Sequence, residues 1–210
     1  MAELIRGLDP GRIRANLEEA RARIGRDDVA ILAAVKYVAL EELGALAEAG
    51  IEIAGENRAQ DLERKHAAHP ELVWDFIGHL QSRKVKQVLP LVRWIHSVGS
   101  DSVLRELRKH GAPETEVLIE VNVAREEGKS GFLPEELPGV LERCPVRVRG
   151  LMTMPPLAQR AQDSRRWFAA LAQLAADNGL PELSMGTSQD YEVAAQEGAT
   201  IVRLGSSLYR

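Results

Sequence analysis

The sequence predicts an α/β fold in which eight short strands alternate with helices, the pattern of a closed (β/α)8 barrel of the TIM type. Short apolar runs recur along the chain, and each is followed by a polar loop and a stretch with helical spacing. The 210 residues suffice for one near-minimal barrel domain over 1–210. An open doubly wound sheet is the alternative, because strands are difficult to count from one sequence.

The first strand carries the most unusual residue. An apolar run at 29–38 lies between charged segments and contains Lys36 near its end, which suits a strand buried on both faces. An ammonium group in such a strand is costly to desolvate unless it is paired, deprotonated or covalently used. Lys36 is therefore the first candidate functional residue. In the alternative interpretation, its side chain reaches solvent from the strand end.

The other elements follow in regular alternation. Ile13, Leu17, Ala20 and Ile24 predict an amphipathic helix at 10–24 before the first strand, and we expect it to cover the wall or the bottom of the barrel. The eighth helix is expected to be absent or a stub. Further strands are predicted at 51–54, 73–77, 93–97, 115–121, 146–151, 181–184 and 200–204. Helices are predicted at 40–49, 58–66 with Asn57 as its cap, 83–89, 101–109, 134–141, 158–176 and 189–196.

Composition excludes several classes of function. A net charge of -4 leaves no general basic surface, which disfavours a nucleic-acid binder. The single cysteine, Cys144, excludes an internal disulfide and a cysteine-rich metal site, and no metal ligands are predicted. No signal peptide and no membrane-spanning run is apparent, so we expect a cytoplasmic protein. No large apolar patch is evident outside the expected core, so we expect a monomer.

The candidate functional residues follow the predicted strands, at the end of the barrel where such folds place their active sites. The last two loops combine glycine, hydroxyl groups and free backbone N–H groups, and a helix is predicted to begin near Ser188. Barrels often bind phosphate at this position. The loops that hold the candidates contain Lys36, Asn57, Met152, Thr187, Ser188, Arg203, Gly205 and Ser206.

A lysine that faces a phosphate site suggests a phosphorylated carbonyl compound held as an imine. A sugar phosphate, as in Schiff-base aldolases, and pyridoxal 5'-phosphate both fit. Arg203 favours the second ligand if it faces the pyridine nitrogen, because a guanidinium keeps its proton and leaves the ring unprotonated. Such a ring is a weaker electron sink, which limits carbanion chemistry. In the alternative interpretation, Arg203 is an exposed charge at the strand end.

Motifs along nearly the whole chain resemble those of the YggS-like pyridoxal phosphate homeostasis proteins. Ala34-Val35-Lys36 stands where that family has its cofactor lysine. Val35 replaces a frequent Ser or Thr and Thr187 a frequent Met, but no side chain assigned to the cofactor is lost. The other motifs, in chain order, are GEN at 55–57, FIGHLQSRK at 76–84, VN at 121–122, EGKSG at 127–131, GLMT at 150–153, LSMGTSQD at 183–190 and VRLG at 202–205.

The resemblance implies a fold-type III barrel like the N-terminal domain of alanine racemase, with pyridoxal phosphate bound to Lys36 as a Schiff base. It places the phosphate on Ser188, Gly205 and Ser206, and it places Arg203 near the pyridine nitrogen. The remaining implied contacts are Asn57 and Met152 along the ring and Thr187 in the phosphate loop.

The resemblance also implies a carrier or regulator of pyridoxal phosphate without an established catalytic reaction and therefore without a catalytic residue. PLP-dependent apoenzymes are the expected partners. A weak amino-acid racemase is the enzymatic alternative, and it needs a proton donor on the ring face opposite Lys36. Tyr37 follows the lysine directly and is expected to point away from it along the strand.

Overall fold

Eight parallel strands close a barrel in chain order, with the last strand paired to the first. The structure is a computed structural model that describes residues 3–210. This confirms the TIM-type barrel and excludes the open sheet. The strands are β1 (Ala30–Ala34), β2 (Ile53–Glu56), β3 (Val73–Phe76), β4 (Trp94–Val98), β5 (Glu116–Glu120), β6 (Arg147–Met152), β7 (Glu182–Thr187) and β8 (Ile201–Leu204).

Helices alternate with these strands on the outside of the barrel. They are α1 (Pro10–Ile24), α2 (Leu43–Glu48), α3 (Ala59–Ala68), α4 (Val85–Val88), α5 (Asp101–His110), α6 (Leu137–Arg143), α7 (Arg165–Asp177), α8 (Tyr191–Gln196) and α9 (Ser206–Tyr209). Single 3-10 turns extend several of them. The helix α9 is the expected stub, with four residues.

The extra N-terminal helix lies against the barrel wall. Its apolar face is buried, and it packs against α2, α8 and α9. The side-chain amide of Asn16 donates to the carbonyl oxygens of Leu208 and Arg210 over 3.0 and 2.8 Å, which ties α1 to the short last helix. This contact fixes the segment that follows β8, where part of the candidate site lies.

The apolar core has two layers. Leu32, Ile53, Trp94 and Ile201 form a small cluster, and a much larger cluster joins strands to the surrounding helices. Strand side chains alternate between the two layers because the side-chain period of a strand is two residues. Along β8, Ile201 and Arg203 therefore share one face, and Gly205 continues that face beyond the strand end.

The first strand is shorter than the sequence predicts. It ends at Ala34, and residues 35–38 form a turn in which the N–H of Val38 donates to the carbonyl of Val35 over 3.0 Å. Val38 then pairs with Ile5 instead of continuing the barrel. Val35 and Val38 are buried although they lie outside the strand, so the apolar run overestimated its length. Lys36 is thus half-buried in a turn, and its predicted place inside a buried strand is wrong.

Within residues 3–210, no helix combines the length and the apolar character needed to cross a membrane.

Candidate functional site

A cavity of about 620 Å³ opens at the carboxyl end of the barrel strands. Its size falls within the range of roughly 300–1,000 Å³ that is typical of small-molecule sites. The structure brings all eight residues singled out in the sequence to this one cavity. The lining includes Lys36, Asn57, Met152, Thr187, Ser188, Arg203, Gly205 and Ser206.

Lys36 enters the cavity from the turn after β1. Its Nζ lies 4.8 Å from the centre of the Tyr37 ring, and Tyr37 lines the same cavity. The neighbouring Lys36 ammonium lowers the pKa of the Tyr37 hydroxyl. The expectation that Tyr37 points away from Lys36 is wrong, because strand alternation does not apply in a turn.

A buried ion pair supports this turn from behind. Nζ of Lys65, on α3, lies 2.6 Å from Oε2 of Glu56 and 2.6 Å from the carbonyl oxygen of Val35. Glu56 is fully buried, and Lys65 is 6% exposed. The pair therefore joins the end of β2, helix α3 and the residue that precedes Lys36.

The Glu56 carboxylate also binds backbone N–H groups at the N-terminus of α3. Oε1 of Glu56 accepts hydrogen bonds from the backbone N–H groups of Asn57 and Arg58 over 2.6 and 3.0 Å. The helix has Arg58 at its N-cap and no side-chain cap, so the prediction that Asn57 caps it is wrong. Asn57 instead lines the cavity.

Backbone and hydroxyl groups converge in the last two loops. Oγ of Ser188 accepts hydrogen bonds from the N–H groups of Gly205 and Ser207 over 3.1 and 3.2 Å, and it lies 2.9 Å from Oγ of Ser207. Thr187 turns its hydroxyl toward Asp190. Helix α8 begins at Tyr191, so Ser188 precedes the helix by three residues instead of starting it.

Arg203 is held in one position by four hydrogen bonds. Nη1 donates to the carbonyl oxygen and to Oγ of Ser184 over 2.7 and 2.6 Å, and Nη2 donates to the carbonyl of Thr153 and to Sδ of Met154 over 2.9 and 2.8 Å. Burial lowers the pKa of Arg203 to about 10, which still leaves it a cation near neutral pH. Arg203 is 6% exposed, so its interpretation as an exposed strand-end charge is wrong.

The Arg203 contact continues as a hydrogen-bonded chain through the barrel. Oγ of Ser184 lies 2.9 Å from Nδ1 of His96, and Nε2 of His96 lies 3.1 Å from Oδ2 of Asp75. Asp75 also accepts two hydrogen bonds from Arg93. Ser184, His96 and Asp75 are fully buried.

The pKa shifts in this chain indicate the position of each proton. Burial lowers the pKa of His96 more than the neighbouring Asp75 raises it, which keeps the imidazole neutral. Burial alone would raise the pKa of Asp75, but hydrogen bonds from His96 and Arg93 hold it below its usual value. Neutral His96 then donates a hydrogen bond from Nε2 to the carboxylate and accepts one at Nδ1 from the Ser184 hydroxyl.

Sequence reasoning missed Ser97 and Glu120, which also line the cavity. Ser97 follows the inward-facing His96 directly, and the β4–β5 register shifts between Ile95 and Val98. A bulge of this kind changes the direction of a side chain, here that of Ser97, and no pattern in the sequence predicts the bulge. Glu120 could have been found, because it is a charge at the end of an apolar strand, the signal that singled out Lys36.

Comparisons with known proteins give a consistent result. No protein-family model matches the sequence. The pyridoxal phosphate homeostasis protein of Aquifex aeolicus is 39% identical over 215 residues, which cover 94% of each chain. The chain belongs to the pyridoxal phosphate homeostasis protein family.

Solved structures agree with this family. PipY of Synechococcus elongatus, solved with PLP bound, is 30% identical in sequence and superposes with a TM-score of 0.82. The match includes 94% of this chain and 100% of PipY. Alanine racemase of Corynebacterium glutamicum is 16% identical, with a TM-score of 0.75 over 96% of this chain and 61% of the racemase. The racemase likeness concerns the barrel fold alone.

Proposed function

We propose that this chain binds pyridoxal 5'-phosphate at the carboxyl end of the barrel and keeps it available for other proteins. The observation that carries the proposal is the convergence of Lys36, Arg203 and the Ser188–Gly205 region on one cavity. The family relatives named for pyridoxal phosphate homeostasis and the PLP-bound PipY support the choice of ligand.

The loops after β7 and β8 suit the phosphate group. The N–H groups of Gly205 and Ser207 both donate to Oγ of Ser188, so a phosphate oxygen that took the place of this hydroxyl would accept from both. A Cβ added at Gly205 would have its nearest neighbours 3.8 Å away, so the protein leaves space at this position. Ser206 is exposed beside it.

Arg203 suits the pyridine nitrogen. Three of its hydrogen bonds run to buried oxygens of Ser184 and Thr153, whereas the fourth runs to the thioether of Met154, which is a weak acceptor at an exposed residue. A ring nitrogen could replace that sulfur without disturbing the buried contacts. The guanidinium would donate to the nitrogen and leave the ring unprotonated.

Lys36 supplies the covalent attachment in this proposal. Its amine would add to the aldehyde carbon of the cofactor, form a C=N bond and release one water molecule. When bound, pyridoxal phosphate supplies an aldehyde for amines and an electron-withdrawing ring. Exposed Met154 and Leu157 at the cavity wall leave the site open to solvent, which suits reversible holding.

We include cytoplasmic PLP-dependent apoenzymes as recipients and a monomeric carrier in the same proposal. A transfer assay tests it. Purified protein loaded with pyridoxal phosphate is mixed with an apo-aminotransferase, and the recovered aminotransferase activity is followed. We expect stoichiometric recovery from the loaded wild type, and none from Lys36→Ala carried through the same loading and desalting. Equal recovery from both would contradict the proposal.

A further inference from the structure

The wall of the cavity that faces Lys36 contains buried polar atoms without partners. Within residues 3–210, neither Oγ of Ser97 nor Oε2 of Glu120 has a hydrogen-bond partner. Both residues line the cavity, and they are only 3% and 9% exposed. A buried polar group that lacks a partner is costly, so such atoms call for a ligand or an ordered water.

Both groups lie on the side of the cavity away from Lys36, and Glu120 is paired in register with Met152, one of the proposed ring contacts. Glu120 ends β5, which is four strands from β1 in either direction around the closed barrel. Lys36 follows β1, and Arg203 lies on the neighbouring β8. Glu120 therefore stands across the mouth from Lys36, and Ser97, on the adjacent β4, stands beside it. The Glu120 carboxylate also acts on Arg203, since its charge raises the pKa of that guanidinium against the effect of burial.

The chemistry of this wall favours an organic cation. Within residues 3–210 Glu120 forms no ion pair, and only its Oε1 has a hydrogen-bond partner, the hydroxyl of Ser130 at 2.7 Å. A carboxylate and a hydroxyl that accept hydrogen bonds match an ammonium group, which only donates. A metal ion would need more ligands, and residues 3–210 contain no cluster of three or more acidic, histidine or cysteine side chains arranged to hold one.

We propose that Ser97 and Glu120 form a subsite for the ammonium group of an amino acid or another small primary amine. Ser130 orients the carboxylate through Oε1, and the bulge in β4 presents Ser97 to the cavity. This proposal rests on the proposed function only because the subsite lies in the same cavity as the proposed cofactor site. It would place an amine opposite the lysine that holds the cofactor.

The test measures binding of n-propylamine and of n-propanol, its uncharged analogue, by calorimetry. Two forms of the protein are used: one loaded with pyridoxal phosphate and reduced with borohydride, which removes the reactive aldehyde, and one without cofactor. We expect the reduced form to bind the amine at least about tenfold more tightly than the alcohol, and Glu120→Gln to lose this preference. Ser97→Ala should weaken amine binding by a smaller factor.

Glu127→Gln is the matched control, since Glu127 is exposed in the same loop region and does not line the cavity. It should bind the amine as the wild type does. Unchanged amine binding by Glu120→Gln, or equal binding of amine and alcohol, would overturn the subsite. If reduction attaches no cofactor, the proposed function fails separately, and the cofactor-free form still decides whether the amine binds at Glu120.

Discussion

Oγ of Ser184 lies 2.6 Å from Nη1 of Arg203, and both groups are buried inside the barrel. Because this oxygen accepts from a cation, its own proton is directed to His96. The orientation of Arg203 toward the cavity therefore depends on residues that never line it. Asp75, the last residue of this hydrogen-bonded series, holds His96 in the tautomer that carries its proton on Nε2.

Removing the Ser184 hydroxyl should destabilise the hydrogen-bonded series that runs from Arg203 to Asp75. Ser184→Ala leaves an N–H of Arg203 and Nδ1 of His96 without partners, so we expect the free energy of unfolding to fall by about 1–3 kcal/mol. Chemical denaturation measures this change. Ser164→Ala is the control, because Ser164 is equally buried and its hydroxyl already lacks a partner within the described residues. Removing the Ser164 hydroxyl should leave the free energy of unfolding unchanged or raise it slightly. An equal decrease of the free energy of unfolding in both variants would contradict the account.

Stability should decrease as the pH falls below about 6.5, the ordinary pKa of histidine. Burial holds the pKa of His96 in the folded state below that value. Below about pH 6.5 the unfolded chain binds a proton at this histidine that the folded protein does not bind. The free energy of unfolding therefore decreases as the pH decreases. The measurement is a series of denaturation curves between pH 5 and 7.

His96→Gln should flatten this pH dependence. His79→Gln replaces an exposed histidine and should keep the slope. A slope that is unchanged in His96→Gln would show that other groups cause it.

The fold could be predicted in detail because its signals are local. Most of the eight strands are short apolar runs, and the helices show helical spacing, so the alternation of elements could be predicted from the sequence, and the structure confirms the closed barrel. The errors lie where tertiary contacts decide. Lys36 was placed in a strand because the apolar run continues to Val38, yet Val38 is buried outside β1, where it pairs with Ile5.

The candidate site was only partly predictable. Residues at strand ends, such as Arg203 and Ser188, are recognisable because a parallel barrel brings all its strand ends together. The Glu56–Lys65 pair and the hydrogen-bonded chain behind Arg203 involve residues from different elements, so no local pattern announces them. Ser97 depends on a bulge, which the sequence does not show.

The Glu56–Lys65 pair offers a test of how the Lys36 turn is supported. Lys65→Met leaves a buried carboxylate without its cation, and we expect a loss of about 3–5 kcal/mol in the free energy of unfolding. The double variant Glu56→Gln/Lys65→Met should recover part of the loss. Lys109→Met, which breaks an exposed pair with Glu106, should cost at most about 1 kcal/mol. No recovery in the double variant would contradict a charge effect.

Gly205→Ala tests the phosphate loop without disturbing the fold. The added Cβ has its nearest neighbours 3.8 Å away, so thermal stability without cofactor should not change. We expect the affinity for pyridoxal phosphate to fall about tenfold or more, because the methyl group occupies space near the proposed phosphate. Gly139→Ala, on the exposed side of α6, is the control and should bind normally. Undiminished affinity in Gly205→Ala would place the phosphate elsewhere.

The most direct test of the central claim is to locate the attached cofactor. Protein incubated with pyridoxal phosphate is reduced with borohydride, digested and analysed by mass spectrometry. The account predicts one principal modification, on the peptide that contains Lys36, and its loss in Lys36→Ala. Modification of another lysine with Lys36 unmodified, or equal labelling of the variant, would contradict it.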